Sequence, residues 1–541
     1  MPVVDLRIDR IIQLLNGDAD KKLILNTLPF LGLDIESETD TEVRIEYSPN
    51  RPDYATEFGI VAGLEGLLGF KKGMIPLVIE SGKEYIIKVA KEVVPLRPHI
   101  TGIIATGGKL NDQDIKQLVN MQEDLHEGIG RKRSKSSIGI HDLDKIKFPL
   151  SYVAVSREHK FIPLNADSAC TISQILAETK TGKDYSHLLE KDMVPLIIDS
   201  DDKTVSLPPV INAAETTVTI STKNLFVEVT GVEEKTGIDI ASVIAITLQN
   251  MGFELHAVDI TGQTNDNMLA ETSKIHVQNS MINHALGTEL QNSVIIDALK
   301  KCRLDAKSQD NEIICIIPRY RFDIINEMDI VEEVMLGYGI EKLESKLVPS
   351  SVIGQKNSQL EMCDTLERIM IGLGYTEVLN SSLTSPLKND TSESVKLLNS
   401  KNTEHIILRN TILAGLIKNL SKNIHETYPQ KIFEIGRVFL AKNIEQDRLA
   451  CVLAYKNADY SQMKSVLNGL LCDGLGESCS TPKTMHKFFE NGKTAKIIIN
   501  EKEIGIIGQI SIQIQQEYKI RVPVVGFEIQ LDPFYKKLSK N

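Results

Sequence analysis

The chain has 541 residues, 42% of them hydrophobic and 25% charged, which is ordinary globular composition. At roughly 100–200 residues per domain there is room for about three to five domains, and a disordered chain, a collagen-like repeat and a coiled coil are excluded. The balance of 61 Lys and Arg against 73 Asp and Glu leaves a charge of −12, which argues against bulk-charge binding to nucleic acid but permits a local basic patch.

In chain order, residues 1–75 read as a small α/β unit. The spacing predicts a helix over Asp20–Leu31 and a strand over Glu42–Tyr47. A loop then leads into a helix with Pro52 in its first turn, Asp53 on its N-terminal dipole and an apolar stripe of Ile60, Leu64, Leu67 and Leu68. Residues 76–262 hold many short apolar runs separated by Gly, Pro and Asn. They read as a β-rich module with helices near 111–127, 168–180 and 239–251. Residues 265–345 form an α/β unit ending in a helix from about 326 to 338. A turn-rich linker follows, and 358–541 form a last α+β domain. The fold class expected is α+β and multidomain.

The seven cysteines, Cys170, Cys302, Cys315, Cys363, Cys451, Cys472 and Cys479, are odd in number and contain no CxxC pair. Neither a disulfide framework nor a structural zinc is expected, and this usage points to the cytoplasm. Asp5, Arg7, Asp9 and Arg10 interrupt any signal-peptide core, and no uncharged apolar run of about 18 residues predicts a membrane span.

The sharpest constellation lies in PRYRFDIINEMDIVEEVMLGYG, residues 318–339. On a helix, Asp329, Glu332 and Glu333 fall at i, i+3 and i+4 and so share one face, with Asp323 six residues earlier. Four converging carboxylates repel one another, and a hard cation such as Mg²⁺ removes that cost. The competing reading is a solvated acidic face with Arg319 and Arg321 as counter-ions. The GKT run at 492–494 lacks the earlier glycine a phosphate loop requires, since Lys487 stands there, and Gly337-Tyr338-Gly339 reads as a helix C-cap rather than a dinucleotide loop. No HExxH or GxSxG pattern is present. The one basic run, Arg131, Lys132, Arg133 and Lys135, is either a phosphate contact or a solvated loop.

Read together and in order, several segments resemble the beta subunits of phenylalanyl-tRNA synthetases of the archaeal and eukaryotic cytosolic type. They are SPNRPD (48–53), HEGIGRKR with SIGIHDLDKI (126–146), VSLPPVIN with NLFVEVTG (205–231) and the 318–339 segment. LNSSLTSP (379–386), LRNTILAGLIKNLSKNIHETYPQKIFEIGRVF (408–439) and IGIIGQI with PVVGFEIQL (504–531) complete the set. The resemblance implies an alpha-two beta-two heterotetramer in which the alpha subunit binds ATP and charges tRNA(Phe). Residues 358–541 are then a catalytically silent class II synthetase-like domain. FEIGR at 433–437 lacks the expected Arg-x-Glu, no GxGxxR follows, and the apolar face is expected to be an interface rather than a pocket. The resemblance also implies one Mg²⁺ on Asp323, Asp329, Glu332 and Glu333, and an editing pocket for mischarged Tyr-tRNA(Phe) in residues 76–262. In that pocket Leu196 would be a wall, Ser206 and Asn212 polar lining, and Glu228 the acceptor for the tyrosyl hydroxyl. Outward exposure of Glu228, and turn bracing by Ser206 and Asn212 around Pro208 and Pro209, are the competing readings. His141 and Asp142 are ranked as structural. The bacterial N-terminal oligonucleotide-binding and C-terminal anticodon-binding domains find no counterpart, so anticodon contacts are expected from the alpha subunit. A freestanding trans-editing hydrolase and a non-enzymatic tRNA-binding scaffold are the alternatives.

Overall fold

The computed structural model describes residues 2–189, 191–261, 268–345, 347, 352–386 and 394–538, which fall in two compact units, Met1–Leu347 and Val348–Asn541. In the first unit, strands Val3–Arg7, Glu42–Glu46 and Asp34–Glu38 form a small antiparallel sheet. The helix expected over Asp20–Leu31 stops at Thr27 and tightens into a 3₁₀ turn, Leu28–Leu31, where Pro29 has no N–H to continue the ladder. The segment after Pro52 also divides. Pro52–Ala55 is a 3₁₀ turn, Thr56 is extended and caps Gly59 N–H at 3.4 Å, and the α-helix runs over Glu57–Leu67.

Two sheets face each other in the β-rich part. One is five-stranded, ordered Ile79–Glu80, Glu254–Ala257, His99–Thr106, Leu225–Gly231, Ser136–Asp142. The other is six-stranded, ordered Ile211–Asn212, Thr204–Leu207, Met193–Ile198, Leu150–Ser156, Ile86–Val89, Asp259–Thr261. Strand Leu225–Gly231 is buried on both faces. Leu225, Val227 and Val229 pack toward helix Glu234–Asn250, whereas Phe226 points between the sheets against Ile104, Tyr152 and Ile197. That helix is apolar nearly all round, which is why it lies in the core. It starts about five residues before the expected position, and the expected 168–180 helix is confined to Ile172–Glu178 by its Thr171 cap.

The remaining part of this unit is a three-stranded sheet, Thr272–Gln278, Glu312–Pro318, Asp305–Gln309, carrying helices Asn279–Leu286, Asn292–Lys301 and Glu327–Tyr338. Gly339, at φ +104°, ends the last helix as the sequence suggested. Gly337 does something different: a Cβ there would stand 2.0 Å from Ala298 O, so glycine allows the two helices to touch.

The second unit is built on a six-stranded sheet ordered Thr376–Glu377, Gln430–Leu440, Ile444–Ala454, Val524–Gln530, Lys502–Ile510, Phe489–Ile499. Helix Leu413–Lys422 covers one face, and Ser358–Gly372 with Tyr460–Asn468 cover the other. Leu408, expected in the first of these helices, lies in the short strand Ile407–Leu408. The helix begins after Ile412 because Glu528 accepts the Ile412 and Leu413 N–H groups at 3.2 and 3.1 Å.

Candidate functional site

Glu228 is the residue around which the β-rich part is organised. It is 2% exposed and projects from strand Leu225–Gly231 on the Phe226 side, between the sheets. Its direct cross-strand neighbours are both glycines, Gly102 and Gly139. A Cβ on Gly139 would lie 2.6 Å from Glu228 Oε1, so the missing side chain is the space the carboxyl fills. The outward reading of Glu228 is therefore corrected.

Ser206, from the opposite sheet, donates its hydroxyl to Glu228 Oε1 at 2.9 Å. Oε2 is buried and has no partner among the described residues. Burial drives the carboxyl up, and the Ser206 bond and the Arg97 guanidinium offset only part of it, leaving the group at about 7. Arg97 is itself held by Thr230 Oγ1 at 3.0 Å and Thr230 O at 2.8 Å. His141 stands on the other side of Gly139, its Nε2 also 2.6 Å from the same imagined Cβ. Its Nδ1 pairs with Thr216 Oγ1 at 2.8 Å, its ring stacks on Phe226, and burial pushes it down to about 3, so it is neutral. Asp142 braces the turn, with its two oxygens taking Asp144 N–H at 3.1 Å and Thr222 Oγ1 at 2.9 Å.

Glu228 and Ser206 both line a cavity of about 270 Å³. Its walls are mostly apolar, from Ile115, Leu118, Ile138, Leu207 and Val210, with Asn212 and Thr216 as further polar lining. None of the lining residues is Cys, His or Lys. Of the four residues expected here, the structure brings together Glu228, Ser206 and Asn212, and Ser206 pairs with Asn212 across adjacent strands. Leu196 is not on the cavity surface. It is fully buried behind it, with Leu207, Val210 and Ala213, in the central strand Met193–Ile198.

Arg133 is a wall residue that composition could not have selected. Of the basic run it alone is buried. Its guanidinium donates to Val210 O at 3.0 Å, Pro209 O at 3.3 Å and Glu123 Oε1 at 2.8 Å, and lies 4.4 Å above the Tyr185 ring. Lys135 pairs with Glu233 at 2.7 Å. Arg131 and Lys132 stay exposed.

The four carboxylates of 323–333 do not converge. Asp323 and Glu333 both bind the fully buried Arg321, at 2.8 and 2.5 Å. Burial raises Asp323, but the charge and bonds of Arg321 outweigh it and hold the group below the usual range. Asp329 turns back to cap its own helix, accepting Ile325 and Asn326 N–H at 2.7 and 2.8 Å, and Glu332 is exposed. Among the described residues no three His, Cys, Asp or Glu are arranged to hold a metal ion. The four do not fit a cage in this chain, because an arginine already occupies the centre. Asn50, Arg51 and Asp53 belong to the same region. Arg51 grips Asp53 at 2.8 and 2.9 Å and covers the Tyr54 ring at 3.9 Å, so loop bracing is the outcome for this pair.

The second unit holds a cavity of about 450 Å³, lined in part by Leu413, Arg448, Phe488, Glu503, Ile506 and Glu528, where only an apolar interface was expected. Glu528 is saturated there: beside the two helix N–H groups it takes Thr411 Oγ1 at 2.5 Å and Arg448 Nη1 at 2.6 Å. Arg437 of FEIGR is tied outward to Glu445 and Asp447.

Three family models match the chain: the phenylalanyl-tRNA synthetase beta chain CLM domain over 343–531, the tRNA synthetase B5 domain over 275–340 and the B3/4 domain over 106–246. A phenylalanine–tRNA ligase beta subunit of Archaeoglobus fulgidus is 34% identical, covering 99% of this chain and 99% of that one. The chain belongs to the phenylalanine–tRNA ligase beta-subunit family. The Methanocaldococcus jannaschii member is 33% identical over 98% of this chain. An N-terminal fragment of the Pyrococcus horikoshii beta subunit superimposes with a TM-score of 0.59 at 26% identity, over 62% of this chain and 99% of the fragment. The mixed α+β multidomain fold of this chain is similar to that of the fragment. The B3/4 match contains Ser206, Asn212 and Glu228, and the B5 match contains all four carboxylates of 323–333.

Glu228 ties stability to pH with a definite sign. Its folded value of about 7 lies above the ordinary 4.5, so the folded protein keeps a proton that the unfolded chain releases. Stability is therefore lost as pH rises through that window. Glu228→Gln removes the loss. Relative to the parent chain, its unfolding free energy should rise between pH 5 and pH 8 by on the order of 2–3 kcal/mol, read by urea denaturation. A difference independent of pH would mean that Glu228 is ionised throughout.

Proposed function

We propose that this chain is the beta subunit of a phenylalanine–tRNA ligase, that it works with an alpha subunit which binds ATP and charges tRNA(Phe), and that the Glu228 cavity hydrolyses mischarged Tyr-tRNA(Phe). Family membership supports the first part. The alpha-two beta-two assembly follows from the family resemblance, and a silent class II-like role for the second unit is consistent with the absence of the Arg-x-Glu and GxGxxR patterns from the sequence of residues 358–541. The corrective activity rests on one observation: Glu228, in the lining of a mostly apolar cavity, has a buried carboxyl oxygen, Oε2, without a donor among the described residues.

The chemistry follows from that atom. Phenylalanine and tyrosine differ by one hydroxyl, and an apolar pocket rejects an added hydroxyl by only about a hundredfold. A pocket that supplies a buried acceptor reverses the preference. The phenol donates to Oε2 and completes its bonding, whereas phenylalanine leaves it desolvated and unpaired. The nucleophile of this reading is water: it adds to the ester carbonyl, the bond from the carbonyl carbon to the 3′ oxygen breaks, and the tRNA leaves as a free 3′ hydroxyl with tyrosine released. Asn212, whose Nδ2 otherwise reaches only Ile140 O at 3.5 Å, is a side-chain donor on the lining that can meet a developing oxyanion. The chain with its alpha subunit should clear Tyr-tRNA(Phe), and Glu228→Ala should slow clearance at least tenfold while Phe-tRNA(Phe) formation persists. Equal clearance by the variant would refute the assignment of Glu228. Clearance by the chain alone would instead favour a freestanding hydrolase.

We also propose that Mg²⁺ reaches the 323–333 corner only in the assembled enzyme. Arg321 already neutralises Asp323 and Glu333, and Asp329 caps its own helix through Oδ2, so this chain has only Glu332 and Asp329 Oδ1 left to offer and the other donors would come from a second chain. The isolated chain should then melt at one temperature with or without EDTA, while EDTA lowers the melting temperature of the complex. A chelator shift in the isolated chain would count against this division.

A further inference from the structure

Three consecutive residues, Arg131, Lys132 and Arg133, have φ of +51°, +52° and +62°. L side chains rarely adopt this left-handed conformation even singly. Glycine would relieve it, and the segment contains two glycines, yet these stand at 128 and 130, off the left-handed positions. The turn is held rather than loose. Arg133 N–H reaches His126 O at 3.2 Å, Lys135 N–H reaches Gly130 O at 3.0 Å, and the Ser134 hydroxyl binds Arg131 O at 2.6 Å. The buried Arg97 adds a bond from Nη2 to Arg133 O at 3.3 Å. Arg133 then anchors the turn to the cavity wall through Pro209 O and Val210 O.

What this device presents is two long cations. Arg131 and Lys132 are exposed, and their side chains make no hydrogen bond or ion pair among the described residues. The nearby Glu123 is already taken by Arg133, and Glu233 by Lys135. In a chain of net charge −12, two unpaired cations on a strained, braced turn at the wall of the cavity call for an anionic ligand.

We propose that Arg131 and Lys132 bind backbone phosphates of the acylated 3′ strand of tRNA and deliver its ester to the Glu228 cavity. This rests on the corrective reading above and extends it to the part of the substrate that lies outside the cavity. Single-stranded RNA offers regularly spaced phosphates, and each one neutralised contributes about 0.7 to the salt dependence of binding. The two residues are positioning residues: they act on binding, and the bond-breaking chemistry stays with the cavity.

The test uses the full chain assembled with its alpha subunit and measures Tyr-tRNA(Phe) hydrolysis against salt concentration. The double variant Arg131→Gly, Lys132→Gly suits the left-handed backbone, so its melting temperature should equal or exceed that of the parent. Its KM should rise about tenfold or more with kcat within about twofold, and the slope of log(kcat/KM) against log salt should weaken by roughly 1.4 for two contacts. The charge-preserving swap Arg131→Lys, Lys132→Arg should restore KM. An unchanged KM and salt slope would overturn the proposal. So would a loss of assembly with the alpha subunit at unchanged KM, which would make the turn a protein contact. Glu228→Ala in parallel separates the two readings. If it clears Tyr-tRNA(Phe) normally, the corrective site is misassigned. If it fails to clear while the glycine variant keeps parental KM and salt slope, only the phosphate contact is wrong.

Discussion

A carboxyl group buried between two sheets with one oxygen left without a donor is costly, and the surrounding structure is arranged to sustain that cost. Glycines at 102 and 139 open the room for it on either side of its strand. Ser206 satisfies one oxygen from the facing sheet, and Arg97, fixed by Thr230, supplies a distant positive charge that moderates the burial. A core that needed only stability would replace Glu228 by an apolar residue, because an apolar group of similar shape leaves nothing unpaired. The orphan oxygen is informative because no fold requires it.

Selectivity then comes from a difference rather than from a fit. A ring with a hydroxyl and a ring without one occupy nearly the same volume, so the walls of the cavity cannot separate them well. The buried acceptor can, because its bonding is completed by only one of them. The same logic gives the neutral His141 a supporting place: its Nδ1 is committed to Thr216 and its ring to Phe226, so it shapes the wall of the carboxyl's niche without adding charge.

The sequence carried much of this, unevenly. Order and composition separated the elements well where capping was local, as at Asn111 with Asp114 and Asn326 with Asp329. Glu228 was reached through resemblance, and its direction was not readable, because every residue of Leu225–Gly231 is buried and no polar-apolar alternation marks a face. A glycine within the strand at 139 was the available signal of a close approach. Leu196 was misplaced because an apolar strand residue looks the same on a cavity wall as one layer behind it. Arg133 was hidden in its run, since charge counts cannot tell which of four neighbouring cations turns inward. The 323–333 carboxylates show the limit of helical spacing. Glu332 and Glu333 lie about 100° apart on a helix, so one is exposed and the other buried. Asp329, three residues into its helix, was drawn into the cap.

The most direct measurement is binding of two non-hydrolysable analogues, tyrosine and phenylalanine each amide-linked to the 3′ position of adenosine, to the assembled enzyme with its synthetic site blocked. A completed hydrogen bond to a buried acceptor predicts that the tyrosyl analogue binds roughly ten- to a hundredfold more tightly, and that Glu228→Ala abolishes the difference. Equal affinity of the two analogues for the parent enzyme would contradict the account.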